Sequence, residues 1–254
     1  MQRKRQSLTK PAVTPTQGAI VVEQPSELFV AVEVTGSTSY IQNNFSQKAV
    51  EEMLRKHMGH SVQKTPKKPS EVLERATIRN VDGHVSIPPV AFKSAMVSAA
   101  SNMKALKKTA LRTGLFVEGA SIPIRFAEMV PRMDMVRTSG MARTPDVRFR
   151  PSFVGWTARM VIRFADTFSH QSVIDLLNRA GRVGVGEWRP EKNGTHGQFS
   201  VTRAIEKRAE LEEIRAACAV ALVPLVIPEW ALNLEIDPET LAAMFGDQGE
   251  EVAS

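Results

Sequence analysis

The sequence is poor in cysteine and in aromatic residues. One of its 254 residues is cysteine, and 6% are aromatic, with a single tyrosine, Tyr40. A lone cysteine, Cys218, excludes an internal disulfide framework and fits a reducing compartment, so the expected location is cytoplasmic. No apolar run approaches the roughly 20 residues that a membrane-spanning helix needs, and no membrane partner is expected. Arg3, Lys4 and Arg5 have no apolar stretch behind them, which excludes a secretory signal. Nucleophile elbow, ordered triad and carboxylate cluster are all missing. His57 and His60 have a spacing able to seat a metal, but no cysteine lies nearby and the other ligands would have to come from distant sequence. Neither a metal nor a cofactor is assigned.

What the chain does have is unevenly spread positive charge. Net charge is +6 and the isoelectric point about 9.6. Residues 104–163 carry twelve Lys and Arg against four Asp and Glu, whereas the last twenty residues carry six acids and no base. A basic middle with an acidic tail points to a polyanion partner or to electrostatic contacts between subunits, against the plainer reading of a solvated surface.

Along the chain, residues 1–25 have the composition of a flexible basic arm, with three prolines. LFVAVEV, residues 28–34, reads as a strand. A polar loop follows, whose Tyr40 and Phe45 are placed either to stack on bases or to tuck under the next helix. That helix begins near Ser46 and carries Val50, Met53, Leu54 and Met58 at helical spacing, read as core. Residues 59–70 form a Lys- and Pro-rich loop, and 76–80 an extended piece before the turn at Val81-Asp82-Gly83. A helix opening at Pro88 or Pro89 is expected to bury Phe92, Met96, Ala99, Met103 and Leu106.

Residues 129–150 are rich in Met and Arg and read as an inserted finger, with 138–145 at its mobile tip. Residues 153–164 read as one strand, 169–180 as a helix ended by Gly181, and 197–203 as another strand. A charged helix over about 204–218 follows, and Pro224 and Pro228 keep the apolar piece after it extended. The order of elements predicts an α+β fold, an antiparallel sheet with helices on one face. Three regions result: the arm at 1–25, a core at 26–203 carrying the finger, and a helical and extended C-terminal extension at 204–254 with its acidic tail.

The stretch GRVGVGEWRPEKNGTHGQFSV, residues 181–201, sets five glycines around Arg182, Arg189, Trp188 and Lys192. Glycine serves where backbone turns sharply or approaches a ligand closely, and here a helix before and a strand after pin the loop. Such a loop suits a phosphate backbone; a plain connection is the alternative. Its G-x-x-G-x-G spacing follows a helix, whereas the dinucleotide fingerprint follows a strand, so no nucleotide cofactor is expected.

Three pieces together resemble the RAMP superfamily of CRISPR-associated proteins, in particular the subunit that forms the helical backbone of effector complexes. They are FVAVEVTGSTSYIQNNFS at 29–46, DGHVSIPPVAFKSAMVSAA at 82–100, and the glycine loop with its following strand. The chain is also similar to uncharacterised tailed-phage proteins, in which case the compartment is the host cytoplasm. The resemblance implies a modified ferredoxin-like, RNA-recognition-type fold, a finger folded over a single strand, and stacked copies of the protein. It also implies nucleic-acid contacts at Lys93, Arg132, Arg137, Arg143, Arg148, Arg150, Arg182, Arg189 and Lys192, with Met133, Met135, Met141 and Trp188 wedging between or stacking on bases. Guanidinium forks grip phosphate oxygens with paired bonds, and sequence-tolerant binding combines a cationic groove with apolar platforms.

Each assignment has a competitor. Arg182 and Arg189 suit a structural ion pair, Glu187 being close by; Trp188 suits a core position; the methionines suit adaptable packing. The resulting expectation is a non-enzymatic protein binding single-stranded RNA, less favourably DNA, as a homo-oligomer or within a multisubunit complex. One alternative is an RNA-processing endoribonuclease using His196 as acid or base. The other is a phage structural protein whose charges serve subunit contacts.

Overall fold

Period-two alternation of valines sets the first strand. In the computed structural model, which describes residues 26–44, 47–59, 66, 68–103, 106–137 and 145–228, β1 (Glu27–Gly36) buries Val30, Val32 and Val34 and turns Glu33 to its other face. The elements that follow are β2 (Tyr40–Ile41), α1 (Gln47–His57), α2 (Pro69–Ala76), β3 (Ser86–Ile87), α3 (Pro89–Ala99), α4 (Lys108–Gly114), β4 (Leu115–Val117) and β5 (Ile122–Arg125). Then come β6 (Glu128–Arg137), β7 (Pro145–Val154), β8 (Thr157–Ala165), α5 (His170–Val183), β9 (Phe199–Ile205) and α6 (Arg208–Ala219). The arm at 1–25, the finger tip at 138–144 with Met141 and Arg143, His60, and the tail from 229 onward lie outside the described residues.

The main sheet runs β3-β5-β8-β1-β9, with β4 also pairing β8, and all its pairings are antiparallel. Taking β1, α3, β4 with β5, β8, α5 and β9 as one unit gives the β-α-β-β-α-β order with the last strand beside the first, an α+β ferredoxin-like arrangement. The even-numbered residues of β1 and β8 (Val32, Met160, Ile162, Phe164) share a core with Phe92 and Met96 of α3 and Leu176 and Leu177 of α5. On the opposite face α6 packs over the sheet through Ile214 and Cys218. There Arg159 binds Glu33 at 2.7 Å, Arg215 binds Glu118 at 2.9 Å, and Arg163 and Arg203 pair with Glu27 and Glu210. Two of the twelve cations counted between 104 and 163, Arg159 and Arg163, are therefore matched by acids within the molecule.

Several boundaries differ from the sequence reading, each for a local reason. The strand expected over 153–164 is broken at Gly155, whose φ is +62°, and Trp156 turns inward to donate from Nε1 to the Thr38 carbonyl at 2.9 Å. The long helix after Pro89 stops at Ala99: Ser101 bonds back to the Ser98 carbonyl at 2.7 Å, Met103 is extended, and α4 starts afresh. The helix α5 runs past Gly181 to Val183 and ends at Gly184, φ +80°. Gly181 is needed for contact rather than capping, because a Cβ there would run into the carbonyl oxygen of Phe199. The apolar residues of α1 are not core; no residue of α1 is buried, and its first residue Gln47 pairs with both backbone groups of Val226 at 2.7 and 3.0 Å.

Candidate nucleic-acid interface

The finger is a two-stranded ribbon. β6 and β7 pair from Glu128 opposite Val154 to Arg137 opposite Pro145. Side chains alternate between the faces of a strand, so the ribbon sorts its own composition. One face carries Met133 opposite Phe149 and Met135 opposite Val147; the other carries Arg132 opposite Arg150 and Asp134 opposite Arg148. Met133 is 67% exposed and Met135 77%. Met133 and Met135 therefore lie on the face opposite Arg132 and Arg150, while Arg137, two residues on from Met135, shares the methionine face.

Two guanidiniums directly across a strand pair repel unless a carboxylate intervenes. Asp134 intervenes, 3.0 Å from Arg132 and 3.6 Å from Arg150. Arg150 is only 3% exposed, and its second partner is Glu187 at 3.5 Å, contributed by the glycine loop. This ties the ribbon root to the loop. Two guanidiniums meet two carboxylates, so the cluster is close to neutral. The Nε atoms of Arg132 and Arg150 and Oδ2 of Asp134 are buried without a hydrogen-bond partner.

His196, from the same loop, completes the cluster. Its Nδ1 lies 2.9 Å from Ser39 Oγ and its Nε2 3.4 Å from Arg132 Nη1. A guanidinium can only donate, so Nε2 accepts and Nδ1 carries the proton, with Ser39 Oγ as its acceptor. Burial, and then the Arg132 charge, hold the imidazole below its ordinary value of 6.5, so it is neutral at neutral pH.

The loop itself is held by its own backbone. At Gly186, φ +80°, a Cβ would strike the Ile41 carbonyl and the Tyr40 ring, so the close approach is to β2. Tyr40, one of the two loop aromatics left open by sequence, is buried there beside Phe153 and Trp156. Arg189 is committed to Glu191 at 2.9 Å and to the Gly186 carbonyl at 2.9 Å. Glu191 also accepts from Ser98 Oγ at 2.6 Å; that bond, more than the arginine, holds its carboxyl below the usual range. Trp188 sits at φ +53° and is 40% exposed.

The remaining sequence candidates fall in different places. Arg148 pairs with Asp146 at 3.5 Å. Lys93 stands apart, its Nζ donating to the Arg112 carbonyl at 2.9 Å and lying 3.9 Å from the Phe116 ring centroid. Burial there, and then the Arg163 charge, lower its pKa. Arg137, Arg182 and Lys192 are exposed, and among the described residues no ion pair engages them. Sequence reasoning missed Asp134 as the ribbon's own counter-ion, although an Arg and an Asp two apart in a strand necessarily share a face.

No protein-family model matches the chain, and no match is found among curated proteins. Solved structures to which the chain is similar include the Type III-B Cmr-beta complex bound to cognate target RNA, with a TM-score of 0.42 and 13% identity, covering 70% of this chain and 60% of that one. Another is Cmr6 from Pyrococcus furiosus, with a TM-score of 0.36 and 8% identity, covering 70% of this chain and 100% of that one. No helix among the described residues is long and apolar enough to cross a membrane.

Proposed function

We propose that this chain binds single-stranded nucleic acid without cleaving it, RNA in preference to DNA, and that copies assemble along the strand. One observation carries the reading: the ribbon presents Met133 and Met135 to solvent while its root is tied by Arg150 and Glu187 to the loop that exposes Trp188. Polarizable and aromatic surface on a fixed scaffold, with uncommitted cations at Arg137, Arg182 and Lys192, is the composition that unstacked bases and their phosphates require. In this reading Arg150, Arg132 and Arg189 shape the platform, and the exposed cations meet phosphate. The preference for RNA and the repeated assembly rest on the sequence resemblance.

Fluorescence anisotropy with a labelled single-stranded oligonucleotide tests it. Affinity is expected to fall steeply with added salt, since each neutralised phosphate releases counterions. Undetectable binding at low salt would end the proposal.

A second reading, RNA cleavage, has one observation in its favour. A neutral His196 beside a guanidinium juxtaposes a proton acceptor with a stabiliser of phosphate charge. Nε2 becomes free to act only when Arg132 turns to the substrate. Cleavage of labelled RNA by the wild type, abolished in His196→Ala, would favour it over simple binding.

A further inference from the structure

Where the ribbon root meets the glycine loop, an imidazole sits inside a balanced charge cluster. The charged groups facing His196 are Arg132 and Asp134 of β6. Arg150 of β7 and Glu187 of the loop stand one contact further out, and Ser39 Oγ holds the other side of the ring. With the imidazole neutral, two guanidiniums meet two carboxylates. Protonation turns this into three cations against two carboxylates. At a half-buried root, screened less than open surface, one unmatched charge is costly.

The members of the cluster differ in their freedom to relieve it. Arg150 is 3% exposed and lies between Asp134 and Glu187, so it is fixed. His196 also stays, because Nδ1 donates to Ser39 Oγ at 2.9 Å in either protonation state. Arg132 is different: its side chain is 34% exposed, and Nη1 is turned inward by a 3.4 Å contact with Nε2. That contact needs the ring lone pair, which protonation removes, so two N–H donors are left facing each other. Its Nε is moreover a buried donor without a partner, a cost that outward movement relieves. What then restrains Arg132 is the bond from Nη2 to Asp134 Oδ1 at 3.0 Å.

We propose that protonation of His196 releases Arg132 from the cluster to the surface, where it takes a nucleic-acid phosphate, so that single strands are held more tightly in mildly acidic solution. The inference rests on the binding reading above and names its regulation. A phosphate at this point restores the missing negative charge, so binding and protonation reinforce each other. Burial and the Arg132 charge place the transition below 6.5, on the acid side of neutrality.

Anisotropy with a labelled oligouridylate, whose bases do not titrate in this range, tests the switch through salt series at about pH 7.5 and about pH 5. Each phosphate contact on a single strand adds about 0.7 to the slope of log affinity against log salt. In the wild type the slope should steepen on acidification by about 1.4, one contact for Arg132 and one for the imidazolium. Arg132→Gln should keep about half of that change, and His196→Gln none. Each protein is compared with itself at the two pH values, so the wild type alone can overturn the switch by showing one slope at both. His196→Gln steepening like the wild type also overturns it, as does full steepening in Arg132→Gln, which would leave Arg132 in place. Binding at about pH 7.5 with an unchanged slope leaves the binding reading standing without its regulation, whereas no binding at either pH overturns both.

Discussion

Arg150 Nη1 stands 3.6 Å from Asp134 Oδ2, near enough for charge to act and too far for a hydrogen bond. The same carboxylate serves Arg132 at 3.0 Å, so one aspartate bridges two facing guanidiniums at the ribbon root, and Glu187 supplies the second negative charge. Removing one member of a buried ion pair costs about 3–5 kcal/mol, because the survivor is left without a counter-charge. Asp134→Ala is therefore expected to destabilise the protein by that order in urea unfolding. The double variant Asp134→Leu with Arg150→Met should recover most of the loss, Glu187 being exposed enough to solvate alone. A double variant no more stable than Asp134→Ala would show that the charges are not the cause.

The neutral state of His196 makes stability depend on pH. Its folded pKa lies below the ordinary 6.5, so as pH falls the unfolded chain takes up the proton first. The contribution is fully present above that value and is lost as pH drops from it towards the folded pKa. Melting temperatures followed from about pH 8 to about pH 5 should fall less in His196→Gln than in the wild type. Parallel curves for the two proteins would contradict a His196 pKa lowered by folding.

At position 181 the chain tolerates no side chain. A Cβ would overlap the Phe199 carbonyl oxygen, where β9 crosses α5. Neither element is free to retreat, since Val173, Leu176 and Leu177 on α5 are fully packed and β9 is hydrogen-bonded to β1. Gly181→Ala, normally a favourable change in a helix, is expected to cost about 3 kcal/mol or more. Chemical denaturation checks it; a neutral or stabilised variant would mean that β9 does not pass so close.

These cases also show where sequence was readable. The alternation of Val30, Val32 and Val34 and the spacing of Val173, Leu176 and Leu177 are local patterns, and they gave β1 and α5 directly. Pro69 at a helix start and the Glu71–Arg75 pair four residues on were equally local signals for α2, obscured by the Lys- and Pro-rich stretch before them. Partners distant in sequence were not readable. Arginines between 104 and 163 look free in a linear count, yet Arg159 meets Glu33 and Arg163 meets Glu27 only because β8 pairs with β1. The same limit hid Glu187 as the counter-ion of Arg150.

Trp188 offers a test in which stability and binding move in opposite directions. Its φ of +53° puts a bulky side chain in left-handed backbone, which costs about 1–2 kcal/mol. The indole recovers only part of this by packing, being 40% exposed. Trp188→Gly removes the strain and adds unfolded-chain entropy, for a net gain of up to about 1 kcal/mol. If the indole is a platform, the same substitution removes a base stack of about 1–3 kcal/mol, roughly a 5- to 150-fold loss of affinity. Thermal unfolding and oligonucleotide anisotropy on one preparation separate the possibilities. A more stable protein that binds more weakly supports the platform, whereas a destabilised protein makes Trp188 a packing residue. Unchanged affinity for single strands would remove Trp188 from the interface.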